Sequence, residues 1–426
     1  MTARRDLDEA ARAILRGNDR GGYTVPNSQV YPFQWNWDSA FVALGFATFD
    51  LDRAWTELET LFRAQWPDGF LPHIVFWRDD PGYFPGPEVW ASGTEPRTSG
   101  ITQPPVAATV VRALWEQAEC EGTVERDRPR VEQLFDKLLA WHRWFARNRD
   151  PDERGVVVAV HPWETGRDNS PEWDAPGGPI DVSNVGEYTR RDTSHLDAKV
   201  RPTKLEYDRY LALVQFGRAL GWDHARIGRE SPFQMADVGM SMILLRANRD
   251  LAALARLLGR ETQAAELDAL VARAETGIAW LWDEDRQCWC SRDRLTGRHS
   301  GFVTSASFLS FYAGLRDSSR DAATLAALRR IGERVRFLMP SLDPGDPGFQ
   351  MARYWRGPVW AVVNWMIGIG LREAGHLAEA GRVRHDTLAL IAQSGFQEAY
   401  NPLDGGASGG DDFSWTAAIH LAWSKA

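Results

Sequence analysis

QPPVAATVVRALWEQAEC, residues 103–120, puts Val106, Val110, Val111, Leu114 and Ala118 on one face of a 3.6-residue period. That pattern decides the fold because it keeps returning. Residues 131–145 repeat it with Leu134, Phe135, Leu138, His142 and Phe145, and the same spacing predicts helices over 207–220, 235–258, 261–281, 322–337, 358–371, 376–392 and 412–423. With 6–15, 39–48 and 52–65 the total is about twelve helices. Only 155–160 and 288–291 look like strands, both short and bounded by turn residues. No Ser/Gly-rich linker divides the chain, so residues 1–426 are expected to form one domain. Twelve helices with no sheet to rest on must close on each other. The stretch 281–297 looks like a helix end feeding a small hairpin, a connection suited to a double helical barrel. The expected fold is therefore all-α, an (α/α)6 barrel or double helical toroid.

Composition narrows the function classes. Of the 426 residues, 44% are hydrophobic and 25% charged, the balance of a soluble globular protein. The 49 basic and 58 acidic residues give a net charge of −9 with no Lys/Arg block, which argues against a nucleic-acid partner. No uncharged apolar run reaches the roughly 18 residues needed to span a bilayer. The first 17 residues read as a charged helical period rather than a signal-peptide core, so a cytoplasmic location is expected. Cys120, Cys288 and Cys290 have neither redox nor zinc spacing and read as passive thiols.

In a toroid the long loops gather at one end, here 22–38, 66–104, 161–205, 339–357 and 395–412, and function belongs on that face. Twenty Trp against nine Tyr is a lopsided aromatic inventory. Trp35, Trp37, Trp90, Trp163, Trp173, Trp355, Trp360 and Trp415 sit in polar, Gly/Pro-rich stretches, whereas Trp115, Trp141, Trp144 and Trp280 lie in helical periods and read as core. An indole can stack on the CH face of a pyranose and still donate one hydrogen bond.

The most informative loop is WETGRDNSP, residues 163–171, with Trp173 behind it. Gly166 supplies an unusual dihedral, Asn169 an Asx-type turn and Pro171 a fixed exit, so Asp168 is held on a shaped loop. The bland alternative is an ordinary surface turn capped by that Asp. A second isolated acid, Glu398, sits between an apolar helix and a proline turn, ahead of the glycine run 405–410. That run lacks the Lys of a phosphate loop, and close backbone packing or a ligand-facing turn explains it better. Two carboxylates in aromatic, Gly/Pro-rich loops suit glycosidic chemistry, one protonated to release the leaving oxygen, one ionised to activate water or attack carbon.

Taken together, Gln34-Trp35-Asn36-Trp37-Asp38-Ser39, Thr102-Gln103-Pro104-Pro105, Gly166-Arg167-Asp168-Asn169-Ser170-Pro171, Tyr354-Trp355-Arg356-Gly357-Pro358-Val359-Trp360 and Glu398 with Phe413-Ser414-Trp415-Thr416 resemble glycoside hydrolase family 63. Within it the chain is most similar to the bacterial hydrolases of mannosylglycerate and glucosylglycerate. The blocks run in order from residue 34 to residue 416. The resemblance implies an inverting α-glycosidase with Asp168 as general acid and Glu398 as general base; no cofactor is expected, and no metal, since the histidines and acids show no ligand spacing such as His-Glu-x-x-His. It places Tyr31, Trp35, Asp38, Gln103, Trp163, Gly166, Tyr354, Trp355 and Trp360 around the sugar, with Tyr83 closing over it. Asp38 suits a pair of sugar hydroxyls, although capping a helix that starts at Ser39 or Ala40 is an equally cheap use for it.

A glycerate aglycone calls for a cation, and Arg201 is nominated, with Arg167, Lys204 and Arg209 behind it. The expected partner is a small glycoside, and self-association is left open. Hydrolysis of other small α-glucosides, a histidine-based sugar epimerase and a noncatalytic sugar-binding protein are the rival readings. His161, His195 and His376 form no convincing acid–base pair for an epimerase, and release of free sugar separates the rest.

Overall fold

A computed structural model describes residues 2–425; helices are its dominant elements, and its strands are few and short. Six helices pack each on the next in a closed ring: Asn36–Phe46, Ala107–Glu121, Val238–Leu257, Leu309–Ala313, Ala361–Glu373 and Ser414–Lys425, which returns to the first. Outside them lie Thr2–Asn18, Leu51–Arg63, Val124–Asn148, Glu261–Ile278, Ser318–Gly332 and Leu377–Ser394, each against its inner neighbour or the turn leading into it. This is the expected double toroid. The two rings differ as their positions require. Every residue of Asn36–Phe46 except Leu44 is buried, while Leu51–Arg63 buries one stripe, Glu57 included, and presents Asp52 and Arg63 outward.

Strands serve only as clips between loops. Trp282–Asp283 pairs antiparallel with Cys288–Trp289, the small hairpin expected after residue 281, its turn held by Asp283 Oδ1 accepting from the amides of Asp285 and Arg286. The strand expected at 155–160 shortens to Val158–Ala159, which pairs with Met235–Ala236. No helix among the described residues is long and apolar enough to cross a membrane.

The ring's membership differs from the sequence expectation in one place. The helix expected at 207–220 forms as Lys204–Ala219, with a Thr203/Glu206 capping box, but it packs on the short helix Pro87–Trp90 in the loop layer rather than in the ring. The vacant ring position is taken by Leu309–Ala313. Its five residues are all buried and are entered through a 3-10 turn capped by Thr304. Five residues cannot display a helical period, so packing alone makes this element.

That short segment is tightly embraced. A Cβ added to Gly370 would lie 2.2 Å from the Tyr312 amide nitrogen and 2.4 Å from the Phe311 carbonyl carbon, so helix Ala361–Glu373 approaches the backbone of its neighbour directly. Backbone cannot move aside as a rotamer can. Gly370→Ala is therefore expected to destabilise the protein by about 2–3 kcal/mol, the upper part of the overpacking range. Denaturant unfolding checks this; a loss below about 0.5 kcal/mol would show that the ring yields here.

Candidate active site

All five long loops reach one cavity at the loop end of the ring, and its wall includes Tyr31, Trp35, Asp38, Tyr83, Gln103, Trp163, Gly166, Asp168, Arg201, Tyr354, Trp355 and Glu398. Twelve of the thirteen residues nominated from sequence thus meet. Trp360 does not. It lies 1% exposed behind Trp355, the two indoles stacked in parallel with centroids 3.9 Å apart. The correction has a simple cause: one indole of the pair faces the cavity and the other backs it.

Asp168 stands on a loop that is fixed from behind. Gly166 takes φ +68°, and a side chain there would strike the Trp37 ring. The Arg167 guanidinium is buried and pairs with both Glu172 and Asp237, the latter also the N-cap of ring helix Val238–Leu257. Tyr210 Oη donates to the Asp168 carbonyl at 2.8 Å, and Asn169 Oδ1 accepts from the Trp355 amide at 2.9 Å. The carboxyl retains some contact with cavity solvent. Burial pushes its pKa up to about 7; Arg201 and a hydrogen bond from Tyr354 work against that rise and Glu398 adds to it. The opposing residue Tyr354 sits at φ +39°, rare for a bulky side chain, and the Asn169–Trp355 bond beside it helps hold that conformation.

Glu398 is placed differently. It precedes the strand Ala399–Tyr400, and its own amide donates to the Gly410 carbonyl at 2.7 Å. Its carboxylate accepts from Tyr31 Oη at 2.8 Å, from the Gly410 amide at 3.0 Å and from Arg201 at 3.4 Å. Three donors, one of them cationic, thus converge on this carboxylate. Tyr31 Oη in turn accepts from Arg201 at 2.7 Å. The glycine run earns its composition here: at Gly409, φ +83°, a Cβ would come within 2.2 Å of Glu398 Oε2.

Asp38 completes a trio of carboxyls. It falls inside the first turn of Asn36–Phe46, whose cap position is Trp35 with no side-chain cap bond, so Asp38 is not the helix cap. It is 4% exposed and faces the cavity, where burial, then the charges of Glu398 and Asp168, hold its pKa well above the usual carboxylate range. Gln103 Oε1 accepts from the Trp37 amide at 3.2 Å, and Tyr83 packs edge-on against Trp35 and Phe33.

Of the tryptophans singled out in loops, Trp35, Trp37, Trp163, Trp355 and Trp415 line the cavity, whereas Trp90, like Trp360, packs behind the wall and Trp173 packs on Phe233. Among the nominated cations only Arg201 reaches the cavity. Arg167 is committed to its two buried acids, Lys204 forms an exposed pair with Asp208, and Arg209 lines a separate cleft behind Asn169. Arg191, Asp192, His73 and Tyr207 also line the cavity and went unread. Arg191 and Asp192 lie in the polar, charged run Thr189-Arg190-Arg191-Asp192-Thr193-Ser194, which reads as solvated surface; Tyr207 looked like one more apolar helix position.

Two carboxyls of contrasting environment in a cavity walled by indoles define a sugar-processing enzyme. A family model described as the mannosylglycerate hydrolase MGH1-like glycoside hydrolase domain matches residues 31–416. The mannosylglycerate hydrolase of Thermus thermophilus is 48% identical over 415 residues, 97% of this chain and 99% of that protein. The glucosylglycerate hydrolase of Mycolicibacterium hassiacum is 37% identical over 438 residues, 97% of each. A crystal structure of the Thermus thermophilus GH63 mannosylglycerate hydrolase in complex with Tris and D-glycerate matches with a TM-score of 0.94 at 48% identity, covering 98% of this chain and 100% of that one. The chain belongs to this MGH1-like branch of glycoside hydrolase family 63.

The contact between Gly409 and Glu398 can be tested separately from overall folding. Gly409→Ala forces the carboxylate out of its three-donor cradle and strains a positive φ, so kcat is expected to fall at least about tenfold, with about 1 kcal/mol or more of stability lost. Steady-state kinetics beside thermal unfolding checks it. Full activity would mean that the placement of Glu398 does not matter.

Proposed function

We propose that this glycoside hydrolase inverts an α-glycosidic bond, cleaving 2-O-α-mannosyl-D-glycerate, and also glucosylglycerate, to free sugar and D-glycerate. The observation that carries the reading is the division between two carboxyls in one cavity. Asp168 is raised to about 7 by burial and can be protonated in neutral solution, while the Glu398 carboxylate is held in place by hydrogen bonds from Tyr31 and the Gly410 amide. Asp168 gives its proton to the glycerate oxygen as the bond from the anomeric carbon breaks, and Glu398 removes a proton from the water that attacks that carbon from the other side. Asp38 bonds sugar hydroxyls, the indoles of Trp35, Trp163 and Trp355 pack on the ring, and Arg201 receives the glycerate carboxylate with the N–H groups that Asp192, Tyr31 and Glu398 leave free. Relatives named for both substrates support this choice. The whole chain acts as one catalytic domain in the cytoplasm, and an assembled homo-oligomer is compatible with it.

Asp168→Asn removes the proton donor and should lower kcat by about 10² to 10⁴-fold while substrate still binds. In the parent enzyme kcat/KM should fall as pH rises through about 7, since the useful form of this raised carboxyl is the protonated one. A loss below about tenfold, or an alkaline limb that survives in Asp168→Asn, assigns the acid elsewhere.

Stereochemistry provides an independent check. An inverting enzyme acting on an α-glycoside releases the β-anomer first, which NMR during the first minutes resolves from mutarotation. Early α-anomer would require a covalent intermediate instead.

Selectivity for the charged aglycone follows from Arg201. Arg201→Ala should lower kcat/KM for the glycerate glycoside by about 10- to 100-fold and affect a glyceryl glycoside much less. Equal losses on both would make Arg201 a support for Glu398 alone. Assaying mannosylglycerate and glucosylglycerate side by side settles the preferred sugar.

A further inference from the structure

Arg201 carries more contacts than a substrate clamp requires. Its Nε donates to Asp192 Oδ2 at 3.0 Å, one terminal nitrogen to Tyr31 Oη at 2.7 Å and the other to Glu398 Oε2 at 3.4 Å, while its Cζ lies 3.9 Å from the centre of the Tyr354 ring. The guanidinium therefore spans the neighbourhood of both candidate catalytic acids. Asp192 is the anion on its far edge and also lines the cavity. It is itself gripped by Arg190, at 3.0 Å through Nε and 2.6 Å through a terminal nitrogen, and Arg190 closes the segment by donating to the Pro202 carbonyl.

The geometry points to Asp192 as a positioning residue for the reaction: it offsets the charge that Arg201, held by Tyr31 and Glu398, would otherwise turn on Asp168. This rests on Asp168 and Glu398 acting as acid and base. A staple that merely closed the loop on itself would need only the Arg190 pair, yet the Arg201 bond joins that staple to the reacting carboxyls.

The electrostatic consequence has a definite sign. Facing Asp168 are Arg201, Glu398, Asp38, Tyr354, Tyr83 and Tyr210; facing Asp192 are the two arginines Arg190 and Arg201, with Tyr31, Tyr83 and Tyr207 around them. Arg201 is the main cation opposing the rise of the Asp168 pKa. Replacing Asp192 by Asn keeps an oxygen for the Arg201 Nε but deletes its negative charge. Both the lost anion and the less compensated guanidinium then favour ionised Asp168, so its pKa falls. Arg201 stays in place because Tyr31, Glu398 and the Tyr354 ring still hold it.

The test is the pH dependence of kcat/KM, which reports groups of the free enzyme. In Asp192→Asn the alkaline limb should move about half a unit or more toward lower pH, each full unit removing tenfold of the rate above the limb. Asp192→Glu should restore the limb toward its parental position. A limb that stays where it was while the rate falls at every pH would make Asp192 a loop staple and overturn the inference, as would a limb that moves up, since that means Arg201 has left. Thermal unfolding of each variant identifies a rate loss that comes from misfolding, and a limb position read on the remaining folded enzyme still decides. If Asp168→Asn retains the parental limb, the acid assignment itself has failed, an outcome distinct from an unmoved limb in Asp192→Asn.

Discussion

The arrangement depends on one buried cation, Arg167, held between Glu172 and Asp237. Taking three charges out of water is expensive, and such a cluster adds little to stability compared with a well-packed apolar substitute. Removing one partner is another matter, costing about 3–5 kcal/mol because the remaining charges are stranded. What the cluster supplies is registry. Asp237 is the first-turn cap of a ring helix, Glu172 follows the Asn-Ser-Pro turn, and Arg167 is the chain neighbour of Asp168, so the loop and the ring can meet in only one way. Trp173 covers the guanidinium and donates to the Arg167 carbonyl, sealing the cluster from water.

From that anchor the difference between the two carboxyls follows. The Asp168 loop uses its hydrogen bonds on its own backbone and on Asn169, leaving the carboxyl with Tyr354 and the cavity. Burial without enough donors favours the neutral acid. Glu398 lies where two chain segments run side by side, close enough for the Gly410 amide to bond it, and only glycines permit that approach. The same cavity thus contains one carboxyl short of donors and one well supplied.

The loops that carry chemistry were legible because their signals are local: a glycine turn beside an acid, a proline exit, tryptophans in polar company. Ring helices were legible for the same reason, as one period of ten or more residues is enough to display an apolar stripe. What escaped needed a partner far along the chain. Leu309–Ala313 is too short to show a period and exists because Gly370 lets a neighbour press on it. Arg167 read as one more cation available for substrate until Asp237, seventy residues on, claimed it. Trp360 shares its motif with Trp355, and nothing in that motif says which indole faces inward.

Asp38 shows how local grammar can mislead. An Asp before Ser and Ala is a ready cap, and a cap would be spent on the amides of its own helix. Here the helix begins at Asn36, three residues before Ser39, because the strand Gln34–Trp35 pairs with Ile74–Phe76 and delivers the chain already turned. Asp38 is thereby carried past the cap position and into the cavity, beside two other carboxyls that disfavour its charge. A group kept there at such electrostatic cost, with no partner required by the helix, fits the proposed role toward sugar, whose hydroxyls can donate to it when ionised and accept from it when neutral. The pairing of a two-residue strand in the loop layer thus decides whether an acid caps a helix or meets a ligand.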